Sequence, residues 1–165
     1  MAHCLVAIGA NLGDARQNIQ AALAMLAGVP GVGTLRVSPL HETAPVGGPP
    51  DQPRFVNAAA CFETPLAVGA LLRQMQLVEQ RLGRERRERW AARAIDLDLL
   101  LYDELILQEQ ECQIPHPRLS FRPFVLSPAV EVAADAMHPL LGKTLTQLLN
   151  QLESGGQFVE LRARA

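Results

Sequence analysis

The sequence shows no pattern that is typical of a membrane-spanning or secreted protein. It has no uninterrupted run of about 18 apolar residues. Its N-terminus, MAHCLVAIGANLGD, carries no basic region ahead of a short apolar stretch. These absences argue against a transmembrane helix and a secretory signal, so we expect a cytoplasmic protein that has no membrane partner.

The chain is also poor in cysteine. Its three cysteines, Cys4, Cys61 and Cys112, are widely spaced and form no C-x-x-C pair. An odd number at such spacings favours neither a disulfide framework nor a zinc site. We therefore expect small buried thiols.

Neither sign of charge is in large excess. The net charge is −2, and 48% of the 165 residues are hydrophobic while 19% are charged. This composition is ordinary for a globular chain and gives no general attraction to nucleic acid. The length predicts one domain that covers residues 1–165.

The two standard phosphate-binding loops are missing. Gly142-Lys143-Thr144 is similar to the end of a P-loop, but the first glycine of that pattern would fall at Met137. The glycines of GANLGD (9–14) have the wrong spacing for a dinucleotide fingerprint, and a tight turn between strand and helix explains them equally well. A nucleotide would therefore bind without either loop.

The hydrophobic pattern alternates between strand and helix periods. The predicted elements are strands at 4–8, 34–41, 54–63 and 93–102, helices at 14–28 and 64–83, and a Pro- and Gly-rich loop at 41–53. Asp14 and Thr64 are the expected N-caps, and Gly28 and Gly83 are expected to end the helices. The order predicts an α+β fold, a ferredoxin-like (βαββαβ) sandwich with additional C-terminal helices and a strand as a further layer.

Two aspartates interrupt the most hydrophobic stretch of the chain, RAIDLDLLLY (93–102). In a strand, Asp96 and Asp98 project from the same face about 7 Å apart, while Leu97 and Leu99 face the opposite layer. Two carboxylates this close repel each other, so positive charge is expected nearby.

An arginine-rich segment before this strand can supply that charge. RLGRERRERWAAR (81–93) holds six of the fourteen arginines. The residues alone leave three interpretations open: ion pairs on a solvated edge, a divalent-metal site that binds substrate phosphates, or nucleic-acid binding. Carboxylates and guanidinium groups together favour the second, because both have a role in phosphoryl transfer.

Several segments together resemble the 6-hydroxymethyl-7,8-dihydropterin pyrophosphokinases of folate biosynthesis. The combination of R-x-I-D-L-D with a later I-P-H-P is the most specific part. The matching segments are VAIGANLGD (6–14), ETAPVGGPPDQPRFVNAA (42–59), ERWAARAIDLDLLLY (88–102) and IPHPRLSFRPFVLSPAVEVA (114–133). The resemblance implies transfer of pyrophosphate from ATP to a reduced pterin with release of AMP, and two Mg²⁺ ions. We also expect a monomer with no nucleic-acid partner.

The resemblance also implies a set of residues that act on ATP. Asp96 and Asp98 match the metal ligands, and Arg84 and Arg93 match phosphate-binding arginines; these four are the expected catalytic residues. Other positions that match contacts to ATP are Gln76, Glu79, Trp90, Leu99, His116 and Arg122. Structural roles stay open among them, including packing, a surface ion pair and a solvated helix face for Gln76 and Glu79.

A second implied set of residues binds the pterin. Phe55 and Phe124 match two rings that stack on it, and Asn57 faces the same way as Phe55 and can both donate to and accept from its amide edge. The loop positions that match backbone contacts to this edge are Thr43, Pro45 and Val46. Core packing stays open for either phenylalanine.

Some positions depart from the family pattern. Pro117 stands in place of a tyrosine, Glu111 and Gln113 stand in place of an arginine and a threonine that reach ATP, and the alignment of Arg86 and Arg87 is ambiguous. The departures concern ATP affinity and loop closure but leave the metal ligands intact. A binding module without catalysis and a nucleic-acid-binding ferredoxin-like domain are the alternative functions.

Overall fold

The computed structural model describes residues 1–43, 51, 53–83 and 94–155. The strands are β1 (Ala2–Ala10), β2 (Arg36–Val37), β3 (His41–Thr43), β4 (Phe55–Thr64), β5 (Asp96–Tyr102), β6 (Leu107–Gln108), β7 (Gln113–Ile114), β8 (Met137–His138) and β9 (Lys143–Thr144). The helices are α1 (Ala15–Ala27), α2 (Val68–Arg81), α3 (Pro123–Ala133) and α4 (Leu145–Glu153). Within these residues, no helix is long and apolar enough to span a bilayer.

The main sheet is antiparallel and has the order β2-β4-β1-β5. β3 pairs with the same edge of β4 as β2 does, but nearer to the start of β4. β6 with β7, and β8 with β9, form two small antiparallel pairs outside this sheet. The prediction of an α+β fold is confirmed.

Helices cover both faces of the main sheet, and each face has its own core. The alternation predicted for β4 is confirmed, because Val56, Ala58, Ala60 and Phe62 join the core under α1 and α2. Ala59, between them, belongs to the core under α3 and α4. The predicted C-terminal layer is therefore the layer formed by α3 and α4, and the face that it covers is called the α3 face below.

The predicted ends of the first helix and the end of the second are confirmed. The Asp14 carboxylate accepts a hydrogen bond from the Gln17 backbone N–H at 3.1 Å, and α1 ends at Gly28. After α2, Gly83 has a φ of 82°, a left-handed conformation that glycine adopts without strain.

The predicted N-cap of the second helix is wrong. α2 begins at Val68 after Ala67, which makes no side-chain cap. Thr64 instead ends β4, where its hydroxyl donates to the Gly31 carbonyl at 2.7 Å and accepts from the Leu66 N–H at 3.1 Å. The Thr64 hydroxyl, which a cap would use, is therefore engaged in a tertiary hydrogen bond to the Gly31 carbonyl.

The prediction of one continuous strand at 34–41 is also wrong. Pro39 has no N–H to contribute to a ladder, and the chain divides into β2 and β3 around it. The Ser38 hydroxyl accepts from the Ala59 N–H at 2.9 Å, where a backbone carbonyl would otherwise serve. β3 lies at the start of the stretch predicted to be a loop.

The cysteines are free thiols, as predicted, but only Cys4 is buried, while Cys61 and Cys112 are half-buried. Burial raises the pKa of the Cys4 thiol to about 12, and the negative charge of Asp103 adds to this effect. Cys4 therefore stays protonated at neutral pH and behaves as a small apolar residue.

Candidate active site

A row of polar positions crosses the sheet at the end where β1 finishes and β5 starts. Asp96 is the register partner of Gly9, Gly9 of Asn57, and Asn57 of His41. Register partners in an antiparallel sheet project to the same face, so Asp96, Asn57 and His41 all lie on the α3 face. Asp96 and Asn57 are two strand spacings apart, about 10 Å.

The two aspartates occupy this face as the sequence predicts. Asp96 and Asp98 are half-buried on β5, while Leu97 and Leu99 lie in the core under α1 and α2. Leu99 therefore anchors the strand in the core, and the ATP contact expected at this position stays a prediction. The pair presents hard oxygen donors from one strand, which suits Mg²⁺.

The strand is also held by a side chain from α2. Glu79 is only 5% exposed, and its Oε2 accepts a hydrogen bond from the Leu97 N–H at 3.2 Å. Leu97 lies between the two aspartates, so Glu79 fixes the backbone that carries both carboxylates. The solvated-face alternative is wrong for Glu79, whereas Gln76 is exposed on α2.

Replacing Glu79 should uncouple the strand from the helix. Glu79→Ala leaves the buried Leu97 N–H without this acceptor, and we expect the free energy of unfolding to fall by about 1–3 kcal/mol. Glu79→Gln keeps a carbonyl acceptor and should lose less stability. Urea denaturation of both variants checks this, and equal stability of Glu79→Ala and the wild type would contradict it.

Gly9 lets the Asn57 side chain lie across the sheet. A Cβ built on Gly9 would be 3.0 Å from the Asn57 Oδ1, closer than nearly all real contacts. On the other side, the Asn57 Nδ2 donates to the Thr43 hydroxyl at 2.9 Å. Thr43 is the register partner of Phe55. Phe55, Asn57 and Thr43 therefore form one group on the α3 face, called the strand wall below.

The start of α3 supplies a second group of site residues, called the helix wall below. Arg122 is the N-cap residue of this helix, and its guanidinium lies 5.4 Å from the centroid of the Phe124 ring. Both side chains are half-buried. The structure therefore brings Phe124 together with Arg122, and a cation–π contact orients the ring.

His116 is anchored beside the aspartates. Its backbone N–H donates to the Leu100 carbonyl at 3.0 Å, and its ring Nδ1 accepts from the Arg118 backbone N–H at 3.2 Å. Burial lowers the pKa of His116 to about 4, helped by the charge of Arg118 and opposed by that of Asp96. Because Nδ1 accepts the hydrogen bond from Arg118, the neutral ring carries its proton on Nε2, and Nε2 can act as a donor.

Arg118 was missed by the sequence reasoning. Burial lowers the pKa of Arg122, Arg118 lowers it further, and Asp98 raises it. These mutual effects place the charges of Arg118 and Arg122 in one neighbourhood with Asp96, Asp98 and His116. The I-P-H-P-R order was the available signal, but nothing in the sequence says which way the Arg118 side chain points.

Asn11 was a second omission. It is 1% exposed, and its Nδ2 donates to the Pro53 carbonyl at 3.3 Å, which ties the turn after β1 to the residues just before β4. Gly13 has a φ of 65° in this turn. GANLGD therefore includes the tight turn that the sequence predicts, while Gly9 serves the Asn57 contact.

Five predicted site residues lie outside the described residues: Arg84, Trp90 and Arg93, and Pro45 and Val46 of the predicted pterin loop. Their roles stay predictions. The positions that depart from the family pattern are described: Glu111 is exposed, and Gln113 and Pro117 are half-buried.

A cavity of about 1040 Å³ opens at the other end of the sheet. It is lined by the first residues of β1 and the last residues of β4 and β5, together with the end of α3. None of the predicted site residues lines it, so the site described above is a separate surface.

Comparisons with known proteins agree with the motifs. A family model described as 7,8-dihydro-6-hydroxymethylpterin-pyrophosphokinase (HPPK) matches residues 5–134. The chain is 42% identical over 144 residues to the 2-amino-4-hydroxy-6-hydroxymethyldihydropteridine pyrophosphokinase of Pseudomonas aeruginosa, covering 87% of this chain and 88% of that protein. It is 38% identical over 149 residues to the Synechocystis sp. protein of the same name, covering 90% and 75% respectively.

The fold is similar to that of a solved structure, wild-type HPPK-DHPS of Plasmodium falciparum with pteroate. The TM-score is 0.69 at 14% sequence identity, over 93% of this chain and 42% of that one. The present chain thus spans less than half the length of that protein, and the likeness concerns the fold alone.

Proposed function

The chain belongs to the 7,8-dihydro-6-hydroxymethylpterin-pyrophosphokinase family and is a pyrophosphokinase of folate biosynthesis; on that premise we propose which of its residues bind ATP and the pterin. The observation that carries the proposal is the row in which Gly9 joins Asp96 to Asn57. Asp96 belongs to the phosphate side of the site and Asn57 to the pterin side, so one sheet row sets the distance between the two substrates.

In the proposed reaction, the hydroxymethyl oxygen of the pterin attacks the β-phosphorus of ATP. The bond from that phosphorus to the oxygen bridging the α- and β-phosphates breaks, AMP leaves, and the hydroxyl proton is released. The described residues contain no obvious general base. Positioning and charge stabilisation therefore carry the rate enhancement.

Two Mg²⁺ ions are proposed as the cofactor, held by Asp96 and Asp98. Among the described residues, no group of three or more His, Cys, Asp and Glu could hold a metal, so substrate phosphates and water would complete the coordination, as Mg²⁺ commonly requires. When bound, the ions neutralise phosphate charge and help to align the two reacting oxygens. The carboxylate pair on one strand face fits this requirement.

The remaining groups are assigned by position. His116 and Arg122 face the phosphates as a neutral donor and a guanidinium fork, and Arg84 and Arg93 are proposed as further phosphate ligands. Phe55 and Phe124 stack on the pterin, and Asn57, placed by Thr43, binds its amide edge. Gln76 is exposed on α2, and its contact with ATP stays a prediction.

The strand order supports a more specific description of the fold. Taking β2 and β3 as one broken strand, the order of the four main strands is that of a ferredoxin-like sandwich. A single domain over residues 1–165, a cytoplasmic location, a monomeric state and the absence of nucleic-acid binding stay predictions.

The function is tested by incubating the protein with ATP, Mg²⁺ and 6-hydroxymethyl-7,8-dihydropterin, followed by mass spectrometry. We expect equal amounts of AMP and the pterin diphosphate. Binding of both substrates without AMP would instead indicate a module that has lost catalysis, and salt-sensitive RNA binding without a response to the pterin would indicate a nucleic-acid-binding domain.

A further inference from the structure

β3 is a three-residue strand that is held from both faces of the sheet. On one face, the Arg16 Nη2 of α1 lies 3.1 Å from the Glu42 Oε1. On the α3 face, the His41 Nε2 lies 2.5 Å from the Glu131 Oε1. Among the described strands, β3 pairs only with β4, and these side-chain contacts add to that backbone pairing.

The Arg16–Glu42 ion pair and the His41–Glu131 contact differ in their surroundings. The side chains of Arg16 and Glu42 are 53% and 49% exposed, and such a solvated pair contributes little. Those of His41 and Glu131 are 30% and 36% exposed, and the contact is less screened by water. The contact between His41 and Glu131 is the stronger of the two constraints.

The His41–Glu131 contact joins the two walls of the proposed pterin site. His41 is the register partner of Asn57 and lies two residues before Thr43, which accepts from the Asn57 amide. Glu131 lies seven residues after Phe124 on α3, about two helical turns, so both project from the same side of the helix. One contact therefore links the strand wall to the helix wall.

The backbone hydrogen bonding of α3 is interrupted near its start. Pro128 lies inside α3 and cannot donate the hydrogen bond that the Phe124 carbonyl would otherwise accept. The first turn of α3, with Arg122 and Phe124, then depends more on contacts with the sheet. Within the described residues, Glu131 makes a polar contact from this helix to β3, and the Cys61 thiol of β4 donates to the Val132 carbonyl at 3.3 Å.

We propose that His41 and Glu131 are a positioning pair that sets the spacing between the Asn57 wall and the Phe124 wall of the pterin site. Neither residue touches a reacting atom. The pair holds β3 and α3 at the separation at which a flat heterocycle fits between the walls. This inference rests on the proposed function, because the two walls matter only if the pterin binds between them.

The test measures KM for each substrate and kcat in variants of the pair. His41→Ala and Glu131→Ala should each raise KM for 6-hydroxymethyl-7,8-dihydropterin about tenfold, with KM for ATP and kcat changed by less than about twofold. The double variant should be no worse than either single variant, because both remove one interaction. Glu131→Gln, which keeps an acceptor oxygen, should restore most of the wild-type pterin KM.

Matched controls come from the other face of the same strand. Arg16→Ala and Glu42→Ala remove the exposed pair and should leave the pterin KM within about twofold of the wild type. If an alanine variant fails to fold by circular dichroism, Glu131→Leu replaces it, since leucine keeps the bulk and removes only the acceptor.

Three results would overturn the inference: an unchanged pterin KM in His41→Ala and Glu131→Ala, an equal rise in the controls, or additive effects in the double variant. Each of these, with normal turnover by the wild type, counts against the positioning pair alone. Failure of the wild type to form AMP would overturn the proposed function and this inference with it.

Discussion

Replacing Asp98 with alanine is expected to lower the rate of AMP formation by at least about a thousandfold. Asp98 is one of two carboxylates on the same face of β5, and the proposed site depends on both to hold Mg²⁺ against the phosphates of ATP. Chelation of Mg²⁺ from the wild type should have a similar effect. The rate is measured as AMP released at saturating ATP and pterin.

The fold should survive this substitution, because Leu97 and Leu99 still anchor β5 in the core under α1 and α2. Glu104→Ala is the matched control, since Glu104 is an exposed carboxylate just beyond the other end of the same strand and should be replaceable without loss of rate. Near wild-type turnover by Asp98→Ala, or by the wild type after chelation, would refute the metal assignment.

Replacing Asn57 with alanine is expected to raise KM for the pterin about a hundredfold or more, while KM for ATP changes little. The reason is that a partly buried amide edge of the substrate would lose the side chain that both donates to it and accepts from it. Steady-state kinetics with each substrate varied in turn separates the two constants.

Two further variants make the Asn57 prediction sharper. Asn57→Asp keeps the size but replaces the amide donor with a charged acceptor, so a large rise in the pterin KM would assign the effect to the polar character of this side chain rather than to its shape. Gly9→Ala should raise the same constant by less, because its Cβ would lie 3.0 Å from the Asn57 Oδ1 and displace the amide. An unchanged pterin KM in Asn57→Ala would contradict the assignment.

The regular elements could be predicted from local sequence because their causes are local. The alternation along β4, the cap at Asp14 and the left-handed Gly83 each depend on a few neighbouring residues. The failures have tertiary causes. The Thr64 hydroxyl donates to the Gly31 carbonyl instead of capping α2. The strand predicted at 34–41 is divided at Pro39, and the Ser38 hydroxyl accepts a hydrogen bond from Ala59 of β4.

The same distinction between local and tertiary causes applies to the candidate site. Strand periodicity placed Asp96 and Asp98 on one face, and the motifs named the residues expected to bind ATP and the pterin. Neither could show that Glu79 is buried against the Leu97 N–H or that Arg118 and Asp98 share the neighbourhood of Arg122. Those facts depend on how α2 and the segment after β7 pack against β5.

The sequence by itself determined the chemistry of this protein: two carboxylates at strand spacing, an arginine-rich segment before them, and family motifs that name the reaction. Only the tertiary structure decided the distances. Gly9 of β1 lies between Asp96 of β5 and Asn57 of β4 in one row of the sheet. His41 and Glu131, ninety residues apart in the sequence, join β3 to α3. Local patterns report which face a side chain takes, whereas contacts between distant segments are set by how whole layers pack.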